Sequence, residues 1–366
     1  AMQSELSWEG WSCLGGGAIL DMPAGRAYRL QLDMGAVLLC FLKRSPPDLA
    51  TVVQFLLRRS NCREHLVRTL KRALLERTHS DDWSRGFAVL NQAYRQTIES
   101  VTQKGTGGRQ TTVSLQEIES VISHQSVLSE KDMVSQVFYP HFLGESGLTV
   151  EESSEGADAW RIPLSACEKG ASASAGGSAS TPAGAGGNGS KPVRSPYLLS
   201  VVMAYLRSLL ALQILPHRIL QCFVFDICMY FQQEHTLQQL LHYHVLVDSP
   251  ELMERLQAVS LKHNCDWSTQ ACLDMALRLR KFSTISDMLL HTRQYLDVVP
   301  FSASQRETSF KLQRLLEAID ADDAARADDP DLLDHVLLEI KAWRQEAASG
   351  TEPPPDLEGC AKWLPE

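Results

Sequence analysis

Three side chains of metal-ligating type lie close together in the second half of the chain. His263, Cys265 and Cys272 fall within one short stretch, and imidazole nitrogen and thiolate sulfur are ligands that zinc favours in proteins. Structural zinc sites use four such ligands, and no fourth ligand stands at the usual spacing. The sequence keeps a zinc protein, or an enzyme that uses one of these cysteines, as a secondary alternative.

Two further groups of His and Cys residues do not indicate a metal site or a reactive thiol. His242 and His244 are two residues apart on a predicted helix, so their side chains point about 200° apart and cannot bind one metal ion from adjacent turns. Cys222 and Cys228 lie in a strongly apolar stretch, where a free cysteine behaves as a small hydrophobic residue.

Motifs for nucleotide binding and nucleophilic catalysis are missing from the sequence. The glycine triplet at 15–17 has no third glycine at phosphate-loop spacing, and neither GxxxxGK[ST] nor GxSxG occurs. We therefore predict no enzyme, no catalytic residue and no cofactor.

Composition narrows the class of protein further. The chain has 366 residues and a net charge of −9, which argues against a general nucleic-acid binder because phosphate binding depends on Lys and Arg. Its 9 cysteines form no CxxC pair, and no charged segment followed by an apolar one opens the sequence. These features predict a reduced, cytoplasmic protein.

Helical periodicity is the main structural signal. Apolar residues recur every three or four positions on both sides of a low-complexity stretch at 170–190, which is rich in Gly, Ala and Ser and predicts a disordered insertion. Helices of similar length joined by short connections predict an all-α fold, an α-solenoid of stacked helical pairs. The clearest apolar stripe comprises Trp83, Phe87, Leu90, Tyr94, Ile98 and Val101.

A basic face is predicted on the helix before that stripe. Leu66, Val67, Leu70 and Leu74 share one side of it, whereas Arg68, Lys71 and Arg72 project to the other. This face is our candidate interaction surface, for an acidic partner or an anionic membrane, and a simple solvated helix face is the alternative.

Residues 197–231 are apolar almost throughout, which suits either a buried pair of helices or a membrane hairpin. Arg207 would sit near the centre of the first span, at a cost of about 2.5–3.5 kcal/mol, and Asp226 would disturb the second. We therefore predict buried helices and no transmembrane segment.

The N-terminal region has a different pattern. Tyr28, Leu30 and Leu32 alternate with polar residues at strand period, and a lone strand has no partner in a helical protein. We therefore expect this segment to be the trailing end of a β domain. The predicted division comprises a strand segment (1–35), a first helical part (36–150), an insertion (151–195, with its low-complexity core at 170–190), a second helical part (196–300) and acidic C-terminal helices with a tail (301–366).

Several runs of sequence, taken together, carry a family resemblance. The runs are Gln54–Arg59 with Cys62, Ser126–Ser129 with Asp132, Met133 and Phe138, Val202–Leu209, and Leu240–Ser249. With these runs, the chain resembles over roughly residues 26–300 the Mic-type (colon-cancer-associated) C-terminal domain of the regulator of the Mon and Ccz complex, the Bulli-like family.

The resemblance implies an α-solenoid that follows a β-propeller, which would make the strand segment the last propeller strand. It also implies a non-catalytic scaffold or regulatory subunit of a Rab guanine-nucleotide exchange factor complex. The implied partners are the Mon and Ccz heterodimer and, indirectly, a late-endosomal Rab GTPase. The implied setting is the cytoplasmic surface of late endosomes and lysosomes, in vesicle trafficking and autophagy. A generic α-solenoid subunit of a vesicle tether or coat is the main alternative.

Overall fold

The structure is a computed structural model. It describes residues 11–15, 18–29, 33–42, 48–59, 61–104, 126–146, 162, 196–263, 265–304, 312–348 and 360–363. The predicted low-complexity insertion at 170–190 lies outside the described residues. The chain forms two compact units, the first from residues 1–149 and 195–215 and the second from residues 150–194 and 216–366.

The described residues of the first unit form a small sheet and six helical elements. Its α5 is a continuous run of Glu130–Asp132, the π-helical Met133–Phe138 and Tyr139–Ser146. The other elements are β1 (Trp11–Gly15), β2 (Ala18–Asp21), β3 (Arg26–Arg29), α1 (Met34–Leu42), α2 (Leu49–Leu57), α3 (Arg63–Leu75), α4 (Ser80–Lys104) and α6 (Tyr197–Ala211).

The predicted lone strand has partners, so the expectation of an unpaired strand is wrong. β1, β2 and β3 form an antiparallel sheet in sequence order, with Ile19 opposite Tyr28. A tight turn joins β2 to β3: the Asp21 carboxylate accepts a hydrogen bond from the Ala24 amide at 3.1 Å, and Gly25 adopts a φ of 61°. The alternation in β1 and β2 is too short to be read from the sequence. Leu30 and Leu32 lie outside the described residues, and an origin in a propeller stays a prediction.

Aromatic side chains form the centre of the first unit. Trp83 and Phe87 of α4 are fully buried, as the apolar stripe predicted, and their ring centroids are 4.9 Å apart. Tyr205 of α6 meets Phe87 at 5.0 Å and Phe138 of α5 at 5.6 Å, both edge to face. These contacts join α6 to α4 and α5, which lie on the other side of the insertion in sequence.

The described part of the second unit is helical, and from α7 to α12 the connections are short. They are α7 (Arg218–Tyr230), α8 (Glu234–His242), α9 (Pro250–His263), α10 (Asp266–Arg278), α11 (Phe282–His291), α12 (Tyr295–Ser304), α13 (Leu312–Ala321), α14 (Asp323–Asp328), α15 (Leu332–Ala348) and a 3₁₀ turn (Cys360–Lys362). Consecutive helices pack on one another from α9 to α12, as in an α-solenoid. The predicted all-α fold class is confirmed.

The short connections share one helix-ending motif. After α10, the Lys281 amide donates to the Ala276 carbonyl at 2.8 Å and the Arg280 amide donates to the Leu277 carbonyl at 3.1 Å, which is a Schellman motif. The residue at its turn has a positive φ, a conformation that usually selects glycine. Six of the helices that the structure describes end in this way, with Arg77, Gln213, Gln232, His244, Arg280 and Arg293 at the turn.

The apolar stretch at 197–231 forms two buried helices, but they belong to different units. α6 packs on α4 in the first unit, whereas α7 belongs to the second.

The charge inside α7 is paired: Asp226 meets Arg255 of α9 at 3.2 Å, and both side chains are buried. Asp226 also accepts the amide of Ile162 at 3.3 Å, and Ile162 is buried as well.

Among the helices that the structure describes, none combines the length and apolarity that a membrane span requires. The predicted domain boundaries stay a prediction. The predicted second helical part (196–300) begins with α6, which the structure groups with the first unit.

Candidate interaction surfaces

The predicted basic face lies on α3. Arg68, Lys71 and Arg72 are exposed, while Leu66 and Leu70 on the opposite side are buried. The helix therefore presents these cations to solvent as its periodicity indicated. Whether a partner or a membrane binds them stays a prediction.

Carboxylates on the same helix surface reduce the charge of this face. Arg68 pairs with Glu64 at 2.7 Å, and Arg72 pairs with Glu76 at 2.6 Å, both one helical turn apart. No carboxylate among the described residues lies within ion-pair distance of Lys71. Exposed pairs of this type contribute little to stability, about 0–1 kcal/mol in the median case, but they lower the local potential. Of the three cations on this face, Lys71 is therefore the most available to a partner.

The residues of the proposed zinc alternative do not form a ligand group. His263 is the last residue of α9, Cys265 precedes α10, and Cys272 lies two turns further along α10. The Cys265 thiol faces the His263 carbonyl at 3.6 Å, whereas the buried Cys272 thiol faces the Met253 carbonyl at 4.0 Å. Within the described ranges, no three His, Cys, Asp or Glu side chains are placed to hold a metal ion.

Burial also works against cysteine chemistry, which requires the thiolate. It raises the pKa of Cys272 to about 11, that of Cys222 to about 11 and that of Cys228 to about 12. Burial, and then the carboxylates of Glu234 and Asp266, raise the pKa of Cys265 as well. These four thiols are protonated at neutral pH and are poor nucleophiles.

His242 and His244 lie at the end of α8 and in the turn after it. The ring of His242 packs edge to face on Tyr243 at 5.2 Å, and His244 is the left-handed residue of the Schellman motif. Both are exposed and border a groove between α8 and α10.

This groove was not predicted from the sequence. It has a volume of about 410 Å³, and its walls include Leu241 of α8 and Trp267, Ala271, Asp274 and Arg278 of α10. The α10 residues recur at intervals of four, three and four, which is a second helical stripe beside the buried one. That spacing is the signal that could have revealed the groove. A second groove, of about 750 Å³, lies between α10 and the end of α11.

Comparison with known families gives one match, which lies within the second half of the chain. A family model described as "Regulator of MON1-CCZ1 complex, C-terminal" matches residues 188–329, which run from before α6 to just after α14. A comparison with curated proteins gave no match. Residues 188–329 are therefore similar to the C-terminal domain of the regulator of MON1-CCZ1 complex family, and the resemblance predicted from the sequence is confirmed over this segment.

Proposed function

We propose that the chain is a non-catalytic scaffold or regulatory subunit of the MON1-CCZ1 complex. The family match over residues 188–329 is the observation that carries this proposal. The fold supports it, because stacked helices expose long surfaces to partner proteins.

The cysteine chemistry supports a non-catalytic role. Burial raises the pKa values of Cys222, Cys228 and Cys272, so these thiols are not activated as nucleophiles are in cysteine enzymes. The secondary alternative of an enzyme or zinc protein based on His263, Cys265 and Cys272 finds no supporting geometry among the described residues.

The complex acts, in this proposal, as a guanine-nucleotide exchange factor for a late-endosomal Rab GTPase, in late endosome and lysosome trafficking and autophagy. The chain is held at the cytoplasmic surface of these membranes through its partners. Lys71 and its neighbours Arg68 and Arg72 are the proposed contact for an acidic partner surface or anionic lipid.

The test uses the purified chain and the purified MON1–CCZ1 heterodimer. We expect the two to co-elute in size-exclusion chromatography, while an equal amount of chain without the heterodimer elutes later. A second assay measures the release of a fluorescent GDP analogue from the late-endosomal Rab, which tests catalysis separately from binding. The heterodimer should release the nucleotide with or without the chain, and the chain alone should not.

Separate elution of the chain and the heterodimer would refute the proposed partner and favour the tether or coat alternative. Release of the nucleotide by the chain alone would refute the non-catalytic role.

A further inference from the structure

Polar contacts join the two sides of the groove between α8 and α10 at both of its ends. At one end, the indole N–H of Trp267 donates a hydrogen bond to the Glu234 carboxylate, with an Nε1–Oε2 distance of 3.0 Å. At the other end, the Arg278 guanidinium binds the Asp248 carboxylate through two hydrogen bonds, of 2.5 and 3.0 Å. The first contact joins the starts of α8 and α10, and the second lies beyond the end of α8, so the two helices run in the same direction.

The length of these helices sets the length of the groove. Nine residues of α8 and 13 of α10 correspond to about 13 and 20 Å along the axes at 1.5 Å per residue. Between the end contacts, the groove can therefore hold about three turns of another helix, or a shorter extended segment.

Apolar and aromatic side chains line this groove. Leu241, Trp267 and Ala271 line the walls and are all partly accessible to solvent. Tyr243 lies between two wall residues, His242 and His244, and its side chain is 73% exposed. Tyrosine and tryptophan that are accessible to solvent, as Tyr243 after α8 and Trp267 in the groove wall are, belong to the residue types enriched in protein-binding surfaces.

Carboxylates outnumber arginines once the described side chains that bond to the groove lining are counted with the lining itself. The carboxylates are Glu234, Asp248, Asp266, Asp274 and Asp322, and the arginines are Arg278 and Arg293. Gln270 borders both this groove and the one between α10 and α11, so the two form one surface across α10. Each arginine on this surface is paired with a carboxylate, Arg278 with Asp248 and Arg293 with Asp322. Within the part of the chain that the structure describes, no arginine lies within ion-pair distance of the other three carboxylates, Glu234, Asp266 and Asp274.

We propose that this surface, the α8–α10–α11 groove, binds a basic amphipathic helix of a partner protein. An apolar stripe on such a helix would cover Leu241, Trp267 and Ala271, and its lysines or arginines would meet the carboxylates of Glu234, Asp266 and Asp274. An anionic membrane does not fit, because its lipid headgroups would face the same carboxylates. The proposal rests on this surface alone and does not depend on the identity of the complex.

The probe is a fluorescein-labelled 16-residue peptide of leucine and lysine with the leucines on one helical face. We expect saturable binding to the full chain with one peptide per chain, measured by fluorescence anisotropy. A peptide with every lysine replaced by glutamate should not bind. Binding of the lysine peptide should weaken with added salt, because exposed charges are screened.

Two variants test the location. Asp274→Arg reverses a charge at the groove and should weaken binding by about tenfold or more. Glu339→Arg is the matched control, since Glu339 is an exposed carboxylate in the middle of α15, and its affinity should stay within about twofold. Ala271→Gln puts a longer polar side chain into the groove without a change of charge, and should also weaken binding.

Circular dichroism and thermal unfolding check that all three variants fold. An equal loss of affinity in Asp274→Arg and Glu339→Arg would show that the peptide responds to overall charge, and would overturn the proposal. Binding of the glutamate peptide, or the absence of saturable binding by the lysine peptide, would also overturn it.

Discussion

The indole N–H of Trp83 donates a hydrogen bond to the hydroxyl of Tyr197, with an Nε1–Oη distance of 2.9 Å, across 114 positions of sequence. The same hydroxyl donates to the carbonyl of Thr78 at 2.9 Å. Further along the two helices, the Asn91 amide donates to the Ser208 hydroxyl at 3.0 Å. α6 is thus attached to α4 by polar contacts as well as by the aromatic core, although the whole insertion separates them in sequence.

This attachment predicts the behaviour of a chain cut in the insertion. The composition of residues 170–190 predicts an unprotected backbone, so trypsin should cut first near Lys169, Lys191 or Arg194. The two fragments should then co-elute under native conditions, because α6 on the second fragment stays packed on α4 of the first. Early cuts within 197–231, or separation of the fragments, would contradict this prediction. Deletion of residues 170–190 should change the melting temperature little.

Tyr197→Phe tests the polar link itself. The variant keeps the ring but leaves the buried Trp83 N–H and the Thr78 carbonyl without this partner, which should lower the free energy of unfolding by about 1–3 kcal/mol. Tyr243→Phe is the matched control, because Tyr243 is exposed, and its effect should stay within about 0.5 kcal/mol. Urea unfolding followed by circular dichroism measures both, and an equal effect of the two variants would refute the link.

The secondary structure was predictable because burial here follows local periodicity. The stripe of Trp83, Phe87 and Leu90 sets the inner side of α4, and Leu252, Leu256 and Val259 do the same for α9. A helix of 13 residues or more repeats its apolar pattern several times, so the pattern is clear in one sequence.

The helix ends and the grooves could not be predicted, for two physical reasons. The Schellman turns use Arg280 and Arg293 rather than glycine, so the usual sign of a left-handed residue is missing. The groove depends on contacts distant in sequence, such as Trp267 with Glu234, which no local pattern encodes. The charge of the α3 face was overestimated for a simpler reason: Glu64 and Glu76 stand one turn from Arg68 and Arg72, and the prediction did not include them.

Phe223→Asp tests the core of the second unit. Phe223 lies in α7 and is almost fully buried, so an aspartate there places an unpaired charge in an apolar environment. We expect the second unit to unfold, with loss of helical circular dichroism and of its cooperative transition. His242→Ala should have a small effect because His242 is exposed. A stable Phe223→Asp protein would show that the packing of α7 is wrong.

The buried His141 of α5 predicts a pH dependence in the first unit. Burial lowers the pKa of His141 below its ordinary value of 6.5, an effect that Glu145 opposes and Arg77 reinforces. The unfolded state therefore binds the proton more readily than the folded state. The contribution of His141 to stability is present above pH 6.5 and is lost as the pH falls below 6.5 and through the lower pKa of the folded state. His141→Gln should show a smaller loss of stability than the parent chain between pH 7 and pH 5.5 in urea unfolding. Equal losses in both proteins would refute this contribution.

Lys71→Glu is a sharper test of the α3 face than reversal of all three cations. Glutamate at 68 or 72 would stand one turn from Glu64 or Glu76, and like charges at that spacing destabilise a helix by about 0.2–0.5 kcal/mol per pair. A triple variant would therefore mix a loss of binding with a loss of helix stability. Lys71→Glu avoids these two repulsions, and Lys131→Glu, at another exposed lysine of the first unit, is its control.

If the face binds anionic lipid, the loss of Lys71 should weaken binding to phosphatidylserine vesicles by about 1 kcal/mol, which corresponds to about fivefold. The effect should shrink as salt rises, because exposed charges are screened beyond roughly 8–10 Å. Vesicle co-sedimentation and binding to the MON1–CCZ1 heterodimer are measured separately, with circular dichroism as the folding control. Unchanged binding of folded Lys71→Glu in both assays, or an equal loss in Lys131→Glu, would reject this face as a specific interaction surface and leave it as a solvated side of α3.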